Sequence, residues 1–397
     1  MSLTPVPTTV MWDAAMTAYY FGDYHPMNPS RLDATARLAR DLGIFDLPQV
    51  DIEIPEVASD RQLELAHSPS FIDAVKRVSE DPTLHLPECG LGTEDTPAYE
   101  GIHDASARLA GGSYRAADLI LAGKLHIVNF GGGMHHASRD KASGFCVYND
   151  CAVAIARLLE QGVKRVAYID VDAHHGDGTQ SIFWDDPRVM TVSMHETGMT
   201  LFPGTGFANE VGPDGLASGT SVNVALPADA GDSGWLRTFN AAVEPLVREF
   251  RPETIVSQHG CDSHFRDDMS HLKISVDAQR QVAMMVSALA HELCEDRWIA
   301  TGGGGYNLYD VVPRSWTHLM AVVAGNPLPV DTPVPGRWQQ YMLAKYGTQV
   351  PALMGDEVDL WWSNWELGFD PADPVDRTIM ATRKEVFPHW GLDPWYD

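Results

Sequence analysis

The sequence predicts an α/β protein that folds as one continuous domain around a mostly parallel sheet. From about residue 30 to 330, short β-rich runs alternate with amphipathic segments rich in alanine and leucine, which is the pattern of βαβ units. No internal repeat, low-complexity segment or long glycine- and serine-rich linker divides the 397 residues. A hydrophobic content of 44% supplies enough apolar side chains for a large buried core.

The predicted strands are short apolar runs: LHIVNF at 125–130, RVAYIDV at 165–171, VMTVSM at 189–194, TIVSQ at 254–258 and WIAT at 298–301. Four of them run directly into polar or glycine-rich sequence, namely GGGMHHA, DAHHGDG, HGCDSH and GGGGYN. The carboxyl ends of parallel strands lie along one edge of a sheet. We therefore expect these four segments to converge on a single site.

Composition restricts the partners and the compartment. With 54 acidic against 28 basic residues, the formal charge of -26 repels nucleic-acid phosphates and anionic membranes, so neither is an expected partner. The five cysteines are scattered without a CxxC pair, which disfavours a disulfide framework or a thiolate zinc site. No stretch approaches the ~18 apolar residues of a membrane span, and the first residues lack a signal-peptide pattern. These features predict a cytoplasmic protein.

A metal site is predicted after the second of these strands. The segment IDVDAHHGDG carries five titratable side chains, which are costly to bury without a compensating ion. Asp172 and His174 are two residues apart, so in extended backbone they point to the same side. Asp262, which follows TIVSQ, is a plausible third ligand. Two carboxylates and one imidazole leave an open position, as in catalytic zinc sites, and Fe2+ would also accept this set.

The glycine-rich segments add candidates for acid–base chemistry. His135 and His136 follow three glycines, and the two carboxylates not assigned to the metal, Asp170 and Asp177, could form hydrogen-bonded dyads with imidazoles. Tyr306 follows four glycines, where its hydroxyl could donate to a developing oxyanion. A phosphate cradle is the alternative, but no GxGxxG or GKS/T pattern is present.

Six motifs, in this order, resemble the histone deacetylase family: FGDYHPMNPSR, GGGMHHASRDKASGFCVYND, IDVDAHHGDGTQ, FPGTG, HGCD and GGGGYNL. The likeness covers about residues 15–325 and is greatest to the bacterial acetoin-utilisation type, which is similar to class I members. It implies the arginase/deacetylase fold, a single domain with about eight mostly parallel strands flanked by helices. We place the catalytic domain at 1–330. The remaining residues, 331–397, are rich in tryptophan and proline, and we expect them to form a C-terminal extension that packs on the same domain.

The resemblance assigns a role to each matching residue of the chemistry. Its zinc ligands are Asp172, His174 and Asp262. In its mechanism His136 is the general base and then the acid, His135 stabilises charge, and Tyr306 is the oxyanion donor. Asp170 matches the partner of His135, and Asp177 matches the partner of His136.

Further positions match the family's substrate and potassium sites. Phe145 and Phe202 match the aromatic walls of the acyl-lysine tunnel, which Gly144 lines through its backbone, and Met269 lies near the mouth. Asp95 matches the rim carboxylate that holds the substrate backbone. The remaining matches are Arg31 at an internal acetate channel, and Asp170, Asp172, His174, Ser193, Met194 and, for a second site, Phe183 as potassium-binding positions.

The function implied is zinc-dependent hydrolysis of the acetyl amide of acetyl-lysine in proteins, with release of acetate. Two alternatives stay open: a deacetylase of acetylpolyamines, which makes the partner a small acetylated amine, and a non-catalytic acetyl-lysine reader. A binuclear ureohydrolase is disfavoured, because Gly176 and His264 occupy the positions of its extra carboxylates. Between Asp262 and Met269 the chain reads SHFRDD rather than a small, glycine-containing loop, so the rim that selects substrates differs from that of many family members.

The C-terminal extension has no match in the family's core pattern. Trp361, Trp362 and Trp365 lie close together there, and such aromatics usually pack onto the parent domain. A homo-oligomer contact and a cover over the active-site mouth are the other interpretations.

Overall fold

The computed structural model describes residues 4–397; residues 1–3, at the start of the predicted catalytic segment, lie outside the described residues. The described chain forms one eight-stranded sheet with the order β2-β1-β3-β8-β7-β4-β5-β6. All neighbouring strands are parallel. The strands β1 to β8 are, in chain order, Thr8–Met11, Val50–Glu53, His126–Asn129, Val166–Asp170, Val189–Glu196, Ser221–Leu226, Thr254–Gln258 and Trp298–Thr301. The predicted fold class and the five predicted strands are confirmed.

Helices connect the strands and cover both faces of the sheet. The α-helices α1 to α12 are, in chain order, Ser30–Asp41, Asp60–Leu63, Pro69–Glu80, Ile102–Leu121, Asp150–Glu160, Asp177–Ile182, Asp232–Thr238, Glu244–Phe250, Val276–Leu293, Val311–Val323, Gly336–Tyr346 and Pro374–Val386. Among the helices of residues 4–397, none combines the length and apolarity that spanning a bilayer needs.

The central strands are buried on both faces, as expected of a parallel sheet. One face packs against α4 and α5 through an apolar cluster that includes Ile127, Val256 and Ile299. The next residues along the strands, such as Val128 and Ala300, point to the opposite face, where the cluster includes side chains of α9 and α10. This alternation follows from the two-residue period of a strand.

The four strands with unusual carboxyl ends are consecutive neighbours in the sheet, in the order β3-β8-β7-β4. Their last residues lie in register: Asn129 is paired with Thr301, Thr301 with Gln258, and Gln258 with Asp170. The segments that follow them therefore start side by side along one edge of the sheet. The predicted convergence is confirmed.

The C-terminal extension packs on helix α1 and on the edge strand β6. Trp338 of α11 is buried and donates its indole N–H to the Ala34 carbonyl of α1, at 2.9 Å. The Thr382 hydroxyl of α12 donates to the Asn223 carbonyl of β6, at 2.6 Å. These contacts attach α11 and α12 to helices and strands formed more than a hundred residues earlier.

The tryptophans of the extension behave differently from one another. Trp365 is only 6% exposed, and the guanidinium groups of Arg237 and Arg383 lie over its ring at 4.9 and 4.7 Å. Trp361, in contrast, is 70% exposed. A domain boundary near residue 330 and an oligomer contact in this region stay predictions.

Candidate active site

Asp172, His174 and Asp262 form a compact, buried group of potential metal ligands. One oxygen or nitrogen atom from each lies within 4.8 Å of the others. His174 Nδ1 is 3.1 Å from Asp172 Oδ1 and 2.9 Å from Asp262 Oδ2. Burial and the adjacent carboxylate of Asp172 raise the pKa of Asp262 to about 7. A bound cation would relieve this repulsion, so the donor set fits a divalent metal ion.

Hydrogen bonds from the surrounding chain hold the carboxylates of Asp172 and Asp262 in place. Asp172 Oδ2 accepts hydrogen bonds from Gln258 Nε2 and the Gly304 N–H, both at 2.8 Å. Asp262 Oδ1 accepts from the Ala173 N–H at 2.9 Å. A Cβ atom at Gly304 would lie 2.1 Å from Asp262 Oδ2, so only glycine lets the backbone come this close.

Two His–Asp dyads lie beside the ligand cluster. His135 Nδ1 is 2.7 Å from Asp170 Oδ2, and His136 Nδ1 is 2.7 Å from Asp177 Oδ1. The two imidazoles face each other, with their Nε2 atoms 3.1 Å apart. The Tyr168 hydroxyl also donates to Asp170 Oδ2, at 2.7 Å. Each ring is thus oriented by a carboxylate, which leaves its Nε2 directed into the site.

The two imidazoles have opposite protonation tendencies. Burial lowers the pKa of His135, but the carboxylates of Asp170 and Asp172 outweigh it and raise the pKa to about 9. For His136, burial and the positive charge on His135 lower the pKa despite Asp177. The pair therefore carries one positive charge more readily than two. His136 is the neutral imidazole and is available as a base.

Tyr306 completes the polar groups around the cluster. Its backbone N–H and that of Asn307 both donate to Asp267 Oδ2, at 2.7 and 2.9 Å. Burial, together with the carboxylates of Asp262 and Asp172, raises the pKa of Tyr306 well above its ordinary value. The phenol therefore keeps its proton and can act as a hydrogen-bond donor.

Phe145 and Phe202 flank the group from two sides. The Phe202 ring lies edge-on to His136, with centroids 5.1 Å apart, and is 46% exposed. The Phe145 ring lies edge-on to Tyr306 at 5.7 Å, and its carbonyl accepts a hydrogen bond from the Tyr19 hydroxyl at 2.6 Å. The two aromatic rings thus lie beside different residues of the site, Phe202 beside His136 and Phe145 beside Tyr306.

The sequence and the fold are similar to those of known proteins. Residues 25–323 match the family described as the histone deacetylase domain. The chain belongs to the histone deacetylase family. It is 38% identical over 382 residues to the acetoin utilization protein AcuC of Bacillus subtilis (strain 168), covering 95% of this chain and 94% of that protein. AcuC of Staphylococcus aureus (strain MRSA252) is 38% identical over 327 residues, covering 81% and 82%.

Solved structures of histone deacetylase homologues share the fold. The crystal structure of an HDAC homolog from Aquifex aeolicus superposes with a TM-score of 0.81 at 25% identity, covering 96% of this chain and 100% of that chain. The HDA15 HD domain superposes with a TM-score of 0.72 at 28% identity, covering 80% and 91%. The predicted family, its acetoin-utilisation type and its fold are confirmed. The chain is a deacetylase-type hydrolase that acts on an acetylated substrate, and its ligand cluster supports metal dependence.

The other predicted substrate-site positions contact the loops that carry the tandem histidines and Tyr306. Their part in substrate binding stays a prediction. Asp95 accepts the Gly144 N–H at 2.7 Å through Oδ2. Gly144 has a φ of 52°, and a Cβ there would lie 2.2 Å from His136 Cδ2. Arg31 is buried and donates to the carbonyls of Gly303 and Gly305, at 2.9 and 3.0 Å. It therefore supports the glycine-rich loop that leads to Tyr306.

Met269 and the predicted potassium-binding positions lie in the following surroundings. Met269 is partly buried, and its N–H donates to Asp267 Oδ1 at 3.1 Å. Ser193 and Met194 lie on β5, where Ser193 is paired with Asp170 of β4. Phe183 follows α6 and belongs to the apolar cluster on the α4 and α5 face. Potassium binding at these positions stays a prediction.

Several supporting residues were missed by the sequence analysis. Asp150, fully buried at the start of α5, accepts the backbone N–H groups of Gly133 and Met134 at 2.9 and 2.7 Å and fixes the turn before the tandem histidines. Gln258 and Asp267 hold Asp172 and Tyr306 as described above. Asp150 ends the motif GGGMHHASRDKASGFCVYND, and Gln258 ends the predicted strand TIVSQ, so both residues could be seen in the sequence. Their partners were not, because those partners are distant in the sequence.

Proposed function

We propose that this chain is a zinc-dependent deacetylase that hydrolyses the acetyl amide of Nε-acetyl-lysine in proteins and releases acetate. The proposal rests on the short distance between the metal-ligand cluster and the His–Asp dyads. The ring centroids of His136, in a dyad, and His174, in the cluster, are 5.9 Å apart. Amide hydrolysis needs an electrophile for the carbonyl, a base for water and an acid for the leaving amine. These side chains supply the base and the acid beside the ion's site.

In the proposed mechanism each side chain has a separate task. Asp172, His174 and Asp262 hold the ion, and Zn2+ or Fe2+ would supply Lewis acidity to the acetyl carbonyl and the attacking water. His136 Nε2 takes the proton of that water and later gives it to the departing lysine amine. The Tyr306 hydroxyl donates to the oxygen that becomes negative during attack.

Potassium is the second cofactor that we propose. The backbone oxygens of Asp170, Asp172 and His174, with Ser193 and Met194 on the neighbouring strand, are the expected ligands of a first ion, and Phe183 belongs to a second. Carbonyl oxygens suit a hard cation. A monovalent ion there would offset part of the negative charge that Asp170 and Asp172 concentrate beside the divalent site.

Exposed apolar side chains on loops near the site favour a protein substrate. Tyr24 precedes His25, whose ring packs on Phe145 at 4.6 Å, and Tyr24 itself is 104% exposed. Met199, three residues before Phe202, is 79% exposed. A protein substrate would cover exposed apolar side chains of this kind, whereas a small amine would leave them in water.

An acetylpolyamine is the second candidate substrate. The formal charge of -26 favours cationic ligands of any size, including polyamines. The two substrates are separated by comparing acetate release from an acetyl-lysine peptide and from acetylspermidine, with zinc-loaded protein. A higher kcat/KM on the peptide supports the proposal, and a higher value on acetylspermidine overturns it.

The same assay distinguishes an enzyme from a non-catalytic reader. Acetate release that is lost in Asp172→Ala and blocked by a hydroxamate supports the hydrolase. An acetyl-lysine peptide that binds unmodified protein without any acetate release would identify a reader instead.

A cytoplasmic location is also proposed. All five cysteines are free thiols, and four of them are buried. Free thiols persist in a reducing compartment and pair in oxidising ones. Thiol titration of the denatured protein, taken from its native host without reductant, should find five reactive groups, and fewer would contradict this location.

A further inference from the structure

A buried imidazole–carboxylate pair connects the turn after Asp262 to the C-terminal extension. His264 Nε2 lies 2.8 Å from Asp356 Oδ2, and both side chains are almost inaccessible, at 0% and 1%. The Arg266 N–H donates to His264 Nδ1 at 3.0 Å. Because Nδ1 is an acceptor, the ring proton resides on Nε2 and is donated to Asp356. Both ring nitrogens of His264 are thus engaged away from the metal ligands.

The carboxylate of Asp356 is itself held rigidly. The carboxylate accepts hydrogen bonds from the Val276 N–H at 2.8 Å and from Arg314 Nη2 at 2.9 Å. The backbone N–H of Asp356 donates to Asp277 Oδ2 at 2.6 Å. Burial acts to raise the pKa of Asp356, but His264 and Arg314 lower it well below its usual value. Asp356 is therefore a fixed, ionised acceptor for the His264 ring.

The turn that His264 orients leads to two functional groups. Asp262 lies at the start of the turn, and its carbonyl accepts a hydrogen bond from the Ser270 hydroxyl at 2.7 Å, which closes the loop. At its end, the Asp267 N–H donates to the His264 carbonyl at 2.8 Å. The Asp267 carboxylate in turn binds the backbone N–H of Tyr306 at 2.7 Å.

We propose that Asp356 is a positioning residue of the active site: through His264 it holds the turn that bears Asp262 and, through Asp267, the backbone of Tyr306. The inference rests on the metal site of the proposed function. It gives the C-terminal extension a role in catalysis, because residues 331–397 supply the carboxylate. Hydrogen bonds made directly to metal ligands fix their direction and typically contribute about 10- to 100-fold to metal affinity or activity; Asp356 acts through one further residue, His264.

The alternative is that Asp356 only fastens the extension to the domain, and Asp376 offers a matched control for it. Asp376 is another buried carboxylate of the extension, and it binds Arg237 Nε and Nη2 at 2.6 and 3.0 Å. It accepts a backbone N–H as well, from Asp370 at 2.8 Å. Asp356→Asn and Asp376→Asn thus make the same chemical change in the same segment, but only the first is connected to Asp262.

The test uses the whole chain of 397 residues. Competition with a chelator measures the Co2+ affinity of the metal-free protein, and the visible spectrum is recorded for the Co2+ form. The values of kcat and KM are measured on an acetyl-lysine peptide. Asp356→Asn should weaken Co2+ binding by about tenfold or more, alter the spectrum, and lower kcat more than it raises KM. Asp376→Asn should lower thermal stability but leave Co2+ affinity and the spectrum unchanged. Equal behaviour of the two variants in every readout would overturn the proposal.

A second pair of variants covers the case in which Asp356→Asn does not fold. His264→Gln keeps an N–H near the position of Nε2, whereas His264→Leu removes it. Co2+ affinity close to that of the unsubstituted protein in His264→Gln, with a loss in His264→Leu, supports the proposal, and equal losses refute it. Since Co2+ binding needs no substrate, a chain without acetyl-lysine activity that still shows these affinity differences would refute the proposed function alone.

Discussion

The Nε2 atoms of His135 and His136 lie 3.1 Å apart, while separate carboxylates hold the two Nδ1 atoms at 2.7 Å. Two imidazolium ions at this distance would repel each other strongly, so the pair favours a single charge. Asp170 and Asp172 both favour a positive charge on His135, whereas Asp177 is the carboxylate that favours one on His136. The single charge therefore resides on His135. The neighbours therefore differ in role although they are adjacent in sequence.

His136→Ala is the first prediction that follows. Removal of the neutral imidazole should lower kcat by about 10² to 10⁴, the usual contribution of a general acid–base group. Asp177→Asn keeps an acceptor for the Nδ1 proton of His136, so its kcat should fall less than that of His136→Ala. Metal content, measured beside kcat, should stay unchanged in both variants. Near-normal turnover of His136→Ala, with a large loss in His135→Ala, would reverse the two assignments.

Tyr306→Phe should lower kcat by roughly a hundredfold or more, because one oxyanion donor is lost. The phenol has a raised pKa and stays protonated, so its absence should matter at every pH of the assay. Metal binding and inhibition by a hydroxamate serve as controls for an intact site. Turnover within a few-fold of normal would remove Tyr306 from the mechanism.

Gly144→Ala should reduce kcat by displacing His136. The added Cβ would lie 2.2 Å from His136 Cδ2, at a residue with a φ of 52°, so the imidazole must move away from its partners. Gly162→Ala is the matched control, since Gly162 has a φ of 95° but nothing within 4 Å of a Cβ. Both changes carry backbone strain of the order of 1 kcal/mol. Equal activity of the two variants would show that the contact with His136 is unimportant.

The protein should lose stability in acid through His67. Its Nε2 accepts the Asn149 N–H at 2.9 Å and its Nδ1 donates to the Ser138 carbonyl at 3.0 Å, so it supports the loop after the tandem histidines. Burial lowers the pKa of His67 from 6.5 to about 4. A folded-state pKa below the unfolded value means that this contribution is complete above pH 6.5 and declines as the pH falls towards 4.

Urea unfolding between about pH 8 and pH 4.5 measures this effect. The loss assigned to His67 amounts to roughly 3 kcal/mol at the acid limit, from a shift of about two and a half pKa units. His67→Gln should be less stable at neutral pH but should show a shallower decline. A variant whose unfolding free energy falls as steeply as that of the unsubstituted chain would contradict the prediction.

The potential metal ligands could be predicted from the sequence, whereas the contacts of the residues that support the site could not. Asp172, His174 and Asp262 could be named because each follows an apolar run whose carboxyl end must reach the same edge of a parallel sheet. Asp356 could not be connected to His264, because the two are 92 residues apart and no periodic pattern relates them. Likewise, Arg31 carries no local sign that its guanidinium binds the carbonyls of Gly303 and Gly305.

The sequence by itself determined the fold class, the family and the residue types at the ends of the strands. Hydrophobic periodicity and glycine-rich turns are local properties, and they can be recognised without knowing which strands become neighbours. The tertiary structure alone decided that β3, β8, β7 and β4 lie side by side. It also decided which buried polar groups pair. Such pairs depend on the packing of segments far apart in the chain, since a buried donor must find its acceptor wherever the folded chain brings one.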